Sequence, residues 1–410
     1  MFYENATRKD SHADQPYRFA LPASGRSRPV TVATVLLAAL LGSLIGSFSN
    51  VVIYRLPVGR SIVHPGSSCP HCGRRLGPLE LVPIVSWAVQ GARCRGCGVR
   101  ISARYPAVEA LVAAGFGLLA WVWSPLDSPV AFAFLAVWWT LLVIATFIDL
   151  DHHEIPDALT LPGTALGLAA AALWGAEPDL PSLSGAAFGA ALGAGLLTVV
   201  NRLGALVLRR LRDTSERLWP IGFDQANLAA LAGVLGGLAV GLALATVSAL
   251  ANLATRRTLR LPEGIVWLAW LAGLALSPWT IGVVDAVGGS LVACGAAALA
   301  GATVWWIHDL HRSKPPEAPA AAADDSDEPV AMGFGDVKLA ALLGVVLGWE
   351  RLLVGLFVAV LTGAIVGVAQ RLAGGTRIVP FGPFLALGGV LALFVGDALL
   401  AAYLAALGVG

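Results

Sequence analysis

Long apolar runs alternate with shorter polar segments along most of the chain. Runs of 18 or more apolar residues are long enough to cross a bilayer as helices. The pattern therefore predicts an all-α polytopic membrane protein, with a bundle of about 10–12 transmembrane helices. After a first span at 31–54 and a polar segment, spans are predicted over the ranges 106–124, 129–149, 158–175, 182–208, 337–349, 351–372 and 382–405. The short span 337–349 is expected to pair with its neighbour as a tight hairpin.

Composition and charge support this interpretation and give it an orientation. The chain is 57% hydrophobic and 13% charged, and a soluble protein carries roughly 25% charged residues. The polar segment 55–105 contains eight arginines and a single acid, Glu80. Because short basic loops stay in the cytoplasm, this segment is predicted to be cytoplasmic. The net charge of +1 gives no indication of a nucleic-acid partner.

These patterns divide the chain into six parts. The parts are a disordered tail at 1–30, a first transmembrane helix at 31–54, a cytoplasmic loop domain at 55–105, a first membrane part at 106–208, an inserted region at 209–332 and a second membrane part at 333–410. The insertion ends in an acidic, proline-containing stretch at 314–328, whose composition is typical of a flexible linker.

An internal repeat indicates a duplication within the insertion. Residues 222–237 align without gaps to residues 333–348, with nine identities in sixteen positions. Upstream, the LTLP of 159–162 has an echo in the LRLP of 259–262. A duplicated multi-helix unit predicts a hairpin of two short helices over 226–254. The alternative is chance similarity among helices rich in Ala, Leu and Gly.

Four of the five cysteines predict a metal site in the cytoplasmic loop. Cys69 and Cys72 form one C-x2-C pair, and Cys94 and Cys97 form the second. Two such pairs supply four thiolates, which is the ligand set of a closed structural zinc site in a small zinc-ribbon-like domain. Disulfides are the alternative, and a reducing cytoplasm disfavours them. The fifth cysteine, Cys294, lies in an apolar run and is interpreted as a small core residue.

Acidic residues at the ends of two apolar runs are the candidates for chemistry. Asp149 ends one predicted span and Asp336 begins another, both on the cytoplasmic side. Two carboxylates in a poorly solvated site share a proton, so that one activates a water and the other donates to the scissile carbonyl. Helix capping is the alternative function for both acids. Gly333 and Gly335 permit a close backbone approach to Asp336.

The motifs around these residues resemble those of the type IV prepilin peptidases, a family of membrane aspartyl proteases. The matching segments are IDLDH at 148–152, PDALTLP at 156–162, GFGDVK at 333–338, GSFSNVVIYRLP at 46–57, RYPAVE at 104–109, PFGP at 380–383 and the cysteine quartet. The resemblance makes Asp149 and Asp336 the catalytic pair, with Gly333, Gly335, Lys338 and Asp157 as supporting residues.

The resemblance also implies substrates and a second activity. Prepilins or pseudopilins would be cleaved at the cytoplasmic face of the inner membrane, where a multi-pass protein embeds in the lipid bilayer. Members with the cysteine loop commonly also methylate the new N-terminus with S-adenosylmethionine. Glu80 corresponds to an acid linked to this methyl transfer, although Leu81 replaces an asparagine expected in the same motif.

Two departures from the family pattern leave alternatives open. The insertion separates the two acids by far more chain than the family uses, and its repeat has Gln225 where the second copy has Asp336. Asp224 is one position away, and a shift of one residue rotates a helical side chain by about 100°, so Asp224 is not expected to substitute. The competing functions are an intramembrane aspartyl protease with other substrates and a non-enzymatic membrane assembly protein.

Overall fold

A computed structural model describes residues 31–174, 177, 179–207, 221–258, 261–311, 333–374 and 379–408. The predicted tail at 1–30 and linker at 314–328 lie outside these residues. Eleven α-helices occupy the described ranges: α1 Val32–Arg55, α2 Val85–Val89, α3 Arg104–Val122, α4 Pro129–His152, α5 Asp157–Leu173, α6 Leu183–Val207, α7 Phe223–Thr255, α8 Glu263–Leu276, α9 Val283–His311, α10 Phe334–Leu372 and α11 Gly382–Ala406.

The helices confirm the expectation of an all-α polytopic membrane protein. Eight of them are long and apolar enough to cross a membrane, and two shorter apolar helices, α5 and α8, accompany them. Two of the eight, α7 and α10, are hairpins that reverse direction inside the element. With each hairpin counted as two segments, the described ranges contain about 10–12 apolar helical segments, as predicted.

Each hairpin turns at one glycine. Gly237 reverses α7 at φ 77° and Gly348 reverses α10 at φ 67°, a backbone region that residues with a Cβ rarely adopt. In α7 the two arms are joined by a 3.2 Å hydrogen bond from Nε2 of Gln225 to Oγ of Ser248. The predicted hairpins at 226–254 and 337–372 are therefore confirmed. The two glycines occupy the same position in the sequence repeat.

The core of the bundle lies where α3, α4, α5, α6, α10 and α11 meet. Trp138 of α4 is fully buried there, and its indole N–H donates a 3.1 Å hydrogen bond to the backbone oxygen of Leu342 in α10. The first arm of α10 is almost completely buried. A helix that is apolar on all sides fits such a central position, and α10 accordingly packs against α5, α6 and α11.

Helices α6 and α9 pack against each other with a local two-fold pattern. A Cβ on Gly195 of α6 would collide with the backbone oxygen of Leu291 in α9, and a Cβ on Gly295 of α9 would collide with that of Ala191 in α6. The two contacts are equivalent, because Gly295 lies 100 residues after Gly195 and Ala191 lies 100 residues before Leu291. The contact between α6 and α9 therefore has the symmetry that a duplicated unit predicts.

The two copies exchange their hairpins. Hairpin α7 follows α6 in the chain but packs mainly on α9, whereas α10 follows α9 but packs on α6. The glycine contacts are equivalent: Gly189 of α6 meets Gly344 of α10, and Gly289 of α9 meets Gly233 of α7. The hairpin that carries Asp336 thus belongs to the second copy in the sequence but packs on α6 of the first copy.

One sequence correspondence is wrong. Pro162 lies inside α5, whereas Pro262 is the N-cap of α8, so the two LxLP segments do not occupy equivalent positions. Helices α5 and α8 correspond instead through their packing on the two hairpins. Gly167 of α5 contacts Val345 of α10, and Gly273 of α8 contacts Val234 of α7. A four-residue apolar motif is too short to fix the register of a helix.

Candidate active site

Asp149 lies in the last turn of α4 and is 5% exposed. The helix ends at His153, which adopts a left-handed conformation, so the chain turns away directly after the acid. Oδ2 of Asp149 accepts a 2.8 Å hydrogen bond from the backbone N–H of Gly382, the first residue of α11. One carboxylate oxygen is therefore fixed by the protein.

Asp336 lies in the first turn of α10, after the N-cap Gly333, and is 8% exposed. Asp149 and Asp336, which are distant in the sequence, interact electrostatically across the gap between α4 and α10. The structure thus brings together the two acids that the sequence singled out. Two buried carboxylates that interact in this way favour a state in which one of them is protonated.

Ile155 packs between the two segments that flank the acids, and sequence reasoning missed it. A Cβ on Gly335 would lie 2.9 Å from Cβ of Ile155, and one on Gly382 would lie 3.0 Å from its Cδ1. Both positions therefore require glycine. The only signal in the sequence was an isoleucine within the polar run that follows Asp149, which is too weak to interpret alone.

Lys338 and Asp157 form an ion pair that joins α10 to α5. The Lys338 side chain is 8% exposed and that of Asp157 is 36% exposed. The ammonium group also lies 5.4 Å from the ring centroid of Phe334, a distance at which cation–π attraction operates. The two supporting residues thus hold together the helices on either side of the acids.

Arg104 connects the loop that carries the cysteines to the same end of the bundle. It begins α3, and its guanidinium donates a 2.8 Å hydrogen bond to Asp151 and a 3.1 Å hydrogen bond to the backbone oxygen of Phe147 in α4. Asp151 is exposed, which agrees with a position at the solvated interface. The loop domain and the acid pair therefore lie at one end of the membrane bundle.

The four loop cysteines converge on one point. Their sulfur atoms all lie within 4.8 Å of one another. Each C-x2-C pair forms the same turn, because Gly73 donates to the backbone oxygen of Cys69 and Gly98 donates to that of Cys94, both at 2.9 Å. Backbone N–H groups of Cys97 and Gly96 lower the pKa of the Cys94 thiol to about 6. Four converging sulfurs, one of them readily ionised, fit a tetrahedral metal ion.

Glu80 lies beside this cluster, with both oxygens in use. Oε1 lies 2.5 Å from Nη2 of Arg74 and Oε2 accepts a 2.9 Å hydrogen bond from the backbone N–H of Gly77. The Arg74 hydrogen bond, followed by that of Gly77, lowers the pKa of the Glu80 carboxyl below its usual value. Arg74 also interacts with Cys94. Glu80 therefore links two parts of the loop through Arg74 and Gly77, beside the cysteine cluster.

A cavity of about 820 Å³ separates the loop from the start of the membrane bundle. Its lining includes Glu80 and a second acid, Glu109, from the second turn of α3. Oε2 of Glu109 accepts a 2.7 Å hydrogen bond from the backbone N–H of Ile84. Ile84 has φ 61°, a strained value for a β-branched residue. The sequence indicated Glu109 only as the last residue of a motif.

Comparison with protein families places these features in context. A model described as "Bacterial Peptidase A24 N-terminal domain" matches residues 40–123. A second, "Type IV leader peptidase family", matches twice, over residues 133–255 and 242–368. The chain belongs to the type IV leader peptidase family. The double match agrees with the duplication seen in the helices, and the region shared by the two matches falls in the second arm of α7.

Several curated proteins resemble the chain. A "Prepilin leader peptidase/N-methyltransferase" of Myxococcus xanthus is 40% identical over 196 residues, which is 42% of this chain and 55% of that protein. The protein of the same name from Aeromonas hydrophila is 28% identical over 90% of this chain and 93% of its own length. A "Type 4 prepilin-like proteins leader peptide-processing enzyme" of Escherichia coli is 35% identical over 42% of this chain and 69% of its own length. No solved structure was found to match.

Proposed function

We propose that this membrane protein is an aspartic endopeptidase that removes the leader peptide from prepilins or pseudopilins. The observation that carries the proposal is the buried, mutually interacting pair Asp149 and Asp336 at the loop end of the bundle. Relatives that bear the name of this activity align over most of the chain.

The geometry assigns different tasks to the two acids. One oxygen of Asp149 is held by the Gly382 N–H, which favours the ionised form of that carboxylate. Asp149 is therefore the general base that takes a proton from the attacking water. Asp336, in its protonated form, donates to the carbonyl oxygen of the scissile bond and later passes the proton to the leaving amine. Gly333 would leave room for the substrate backbone beside Asp336, whereas Gly335 makes room for Ile155.

The loop domain supports a second activity, N-methylation of the new N-terminus. Cys69, Cys72, Cys94 and Cys97 would hold a structural Zn²⁺, which supplies folding energy to a loop with little core of its own. The cavity between this loop and the bundle would bind S-adenosylmethionine as the methyl donor. Because Glu80 orders the loop through Arg74 and Gly77, its link to methyl transfer is through that ordered structure.

The arginine-rich loop favours a cytoplasmic position for both sites. In this orientation the acids face the leader of a pilin precursor whose apolar helix lies in the inner membrane. The alternative is a related intramembrane aspartyl protease with other substrates. Comparing cleavage of different peptide substrates distinguishes the two.

A direct assay tests the proposal. Purified protein in lipid nanodiscs is incubated with a prepilin-like peptide and S-adenosylmethionine, and mass spectrometry records leader loss and methyl gain separately. Cleavage at the leader junction is expected, followed by a mass increase of one methyl group on the shortened peptide. A matched peptide without the leader junction should stay intact. Absence of cleavage in the first peptide contradicts the proposal.

A further inference from the structure

The cavity beside the cysteine loop has two acids and several aromatic rings in a lining that also includes Arg55, Arg60 and Arg100. Tyr54, Trp87 and Tyr105 contribute to its lining, and aromatic rings attract a cation such as a sulfonium. Its volume of about 820 Å³ lies in the upper part of the range of roughly 300–1,000 Å³ typical of small-molecule sites. A methyl donor and the first residue of a peptide would fit together.

Of the two acids in the lining, Glu109 is the one placed to meet a peptide. Glu80 has both oxygens committed within the loop. Glu109 lies in the second turn of α3. Its Oε2 accepts a hydrogen bond from the backbone N–H of Ile84, and the hydroxyl of Ser47 in α1 also forms a hydrogen bond with it. It is 8% exposed. Burying a carboxylate in a membrane helix is energetically costly, and residues of this kind usually have a function.

Helix α3, which carries Glu109, also contacts the helix of Asp149. Arg104, one turn earlier on α3, contacts Phe147 and Asp151 beside Asp149. Helix α3 therefore contacts both the end of α4 that carries Asp149 and the cavity.

We infer that Glu109 is the carboxylate that receives the new N-terminal amine for methyl transfer, an inference that rests on the proposed function. The ammonium group binds Glu109 and gives up one proton to it. The nitrogen lone pair then forms the N–C bond, while the S–C bond of S-adenosylmethionine breaks and its electron pair stays on sulfur. The proton leaves Glu109 to water. Glu109 would thus be a catalytic residue of the second reaction and not of the first.

Because Glu109 accepts a hydrogen bond from Ile84, a substitution that keeps this acceptor can test the role of the charge alone. Glu109→Gln keeps an oxygen that accepts from the Ile84 N–H but removes the negative charge and the ability to take a proton. With a pre-cleaved peptide that begins at the new N-terminus, kcat for methylation should fall about 100-fold, the usual size of a general-base contribution. Leader cleavage, equilibrium binding of S-adenosylmethionine and bound metal should match the wild type.

Two further variants separate chemistry from loop structure. Glu109→Asp retains the charge and should recover part of the methylation rate. Glu80→Gln should lower methylation together with the order of the loop, which is visible as reduced metal content. Both results would support the inference.

Full methylation by Glu109→Gln would overturn it and leave Glu109 as an anchor for Ile84. Loss of S-adenosylmethionine binding in this variant would also overturn it, because the acid would then belong to the donor site. A wild-type enzyme that cleaves but never methylates refutes the methyltransferase half of the proposed function itself, which is distinguishable from failure of the variant alone.

Discussion

The backbone N–H of Gly382 lies 2.8 Å from Oδ2 of Asp149. This contact joins the start of α11 to the end of α4 and fixes one oxygen of the carboxylate. A Cβ at position 382 would lie 2.7 Å from the same oxygen, a distance too short for two non-bonded atoms.

Replacement of Gly382 by alanine should therefore impair cleavage without preventing insertion. The added methyl group displaces Asp149, and a displacement of about 1 Å in a catalytic group costs roughly 100-fold in rate. Cleavage of the prepilin-like peptide measures the loss. Gly367→Ala in the second arm of α10 is the matched control, because its Cβ would make only an ordinary 3.8 Å contact. Equal rates in both variants would refute this role of Gly382.

The hairpin exchange predicts that an acid at position 225 cannot replace Asp336. Gln225 faces Ser248 inside α7, and α7 packs mainly on α9, whereas α10 packs on α6. The double variant Asp336→Ala, Gln225→Asp should therefore be as inactive in leader cleavage as Asp336→Ala alone. Restored cleavage would mean that α7 occupies the place of α10, and would refute the exchange.

The Lys338–Asp157 pair predicts an asymmetry in stability. Lys338 is nearly inaccessible, whereas Asp157 is partly exposed. Asp157→Asn leaves a buried cation without its partner and should cost about 2 kcal/mol. Lys338→Met leaves only a carboxylate that water can reach, so it should cost less. Thermal unfolding in detergent compares the two. A larger loss for Lys338→Met would contradict this explanation.

The cysteine quartet predicts one metal ion per chain with a limited role. Removal of the metal by a chelator should unfold the loop and stop methylation, because the loop has little core of its own. Leader cleavage should persist, since both acids come from membrane helices. Elemental analysis gives the metal content, and Cys72→Ser is expected to abolish it. Metal-free wild-type protein with intact methylation would contradict the prediction.

The sequence predicted those features that local pattern encodes. The apolar runs indicated the spans, and the spacing of the cysteines indicated the metal site. The two acids were recognisable because charge within an apolar span is costly and rare. The repeat predicted a reversal within each hairpin, and Gly237 and Gly348 provide it.

Contacts between distant segments could not be read in the same way. The packing of Ile155 between Gly335 and Gly382 depends on three separate elements, and no periodicity records it. The hydrogen bond from Ile84 to Glu109 joins a loop to a helix through a strained backbone. The exchange of α7 and α10 is equally invisible, because both hairpins share a local sequence pattern that does not specify which helix each one packs against.

The central claim is that Asp149 and Asp336 act together on one peptide bond. The most direct measurement is the rate of leader cleavage by Asp149→Asn and by Asp336→Asn, with Asp224→Asn as a control on the first copy, where Asp224 bonds to the Leu261 N–H. Asparagine preserves shape but cannot exchange the proton, so each of the first two variants should lose at least about 100-fold in rate, and the control should cleave normally. Cleavage at the wild-type rate by either Asp149→Asn or Asp336→Asn would contradict the account.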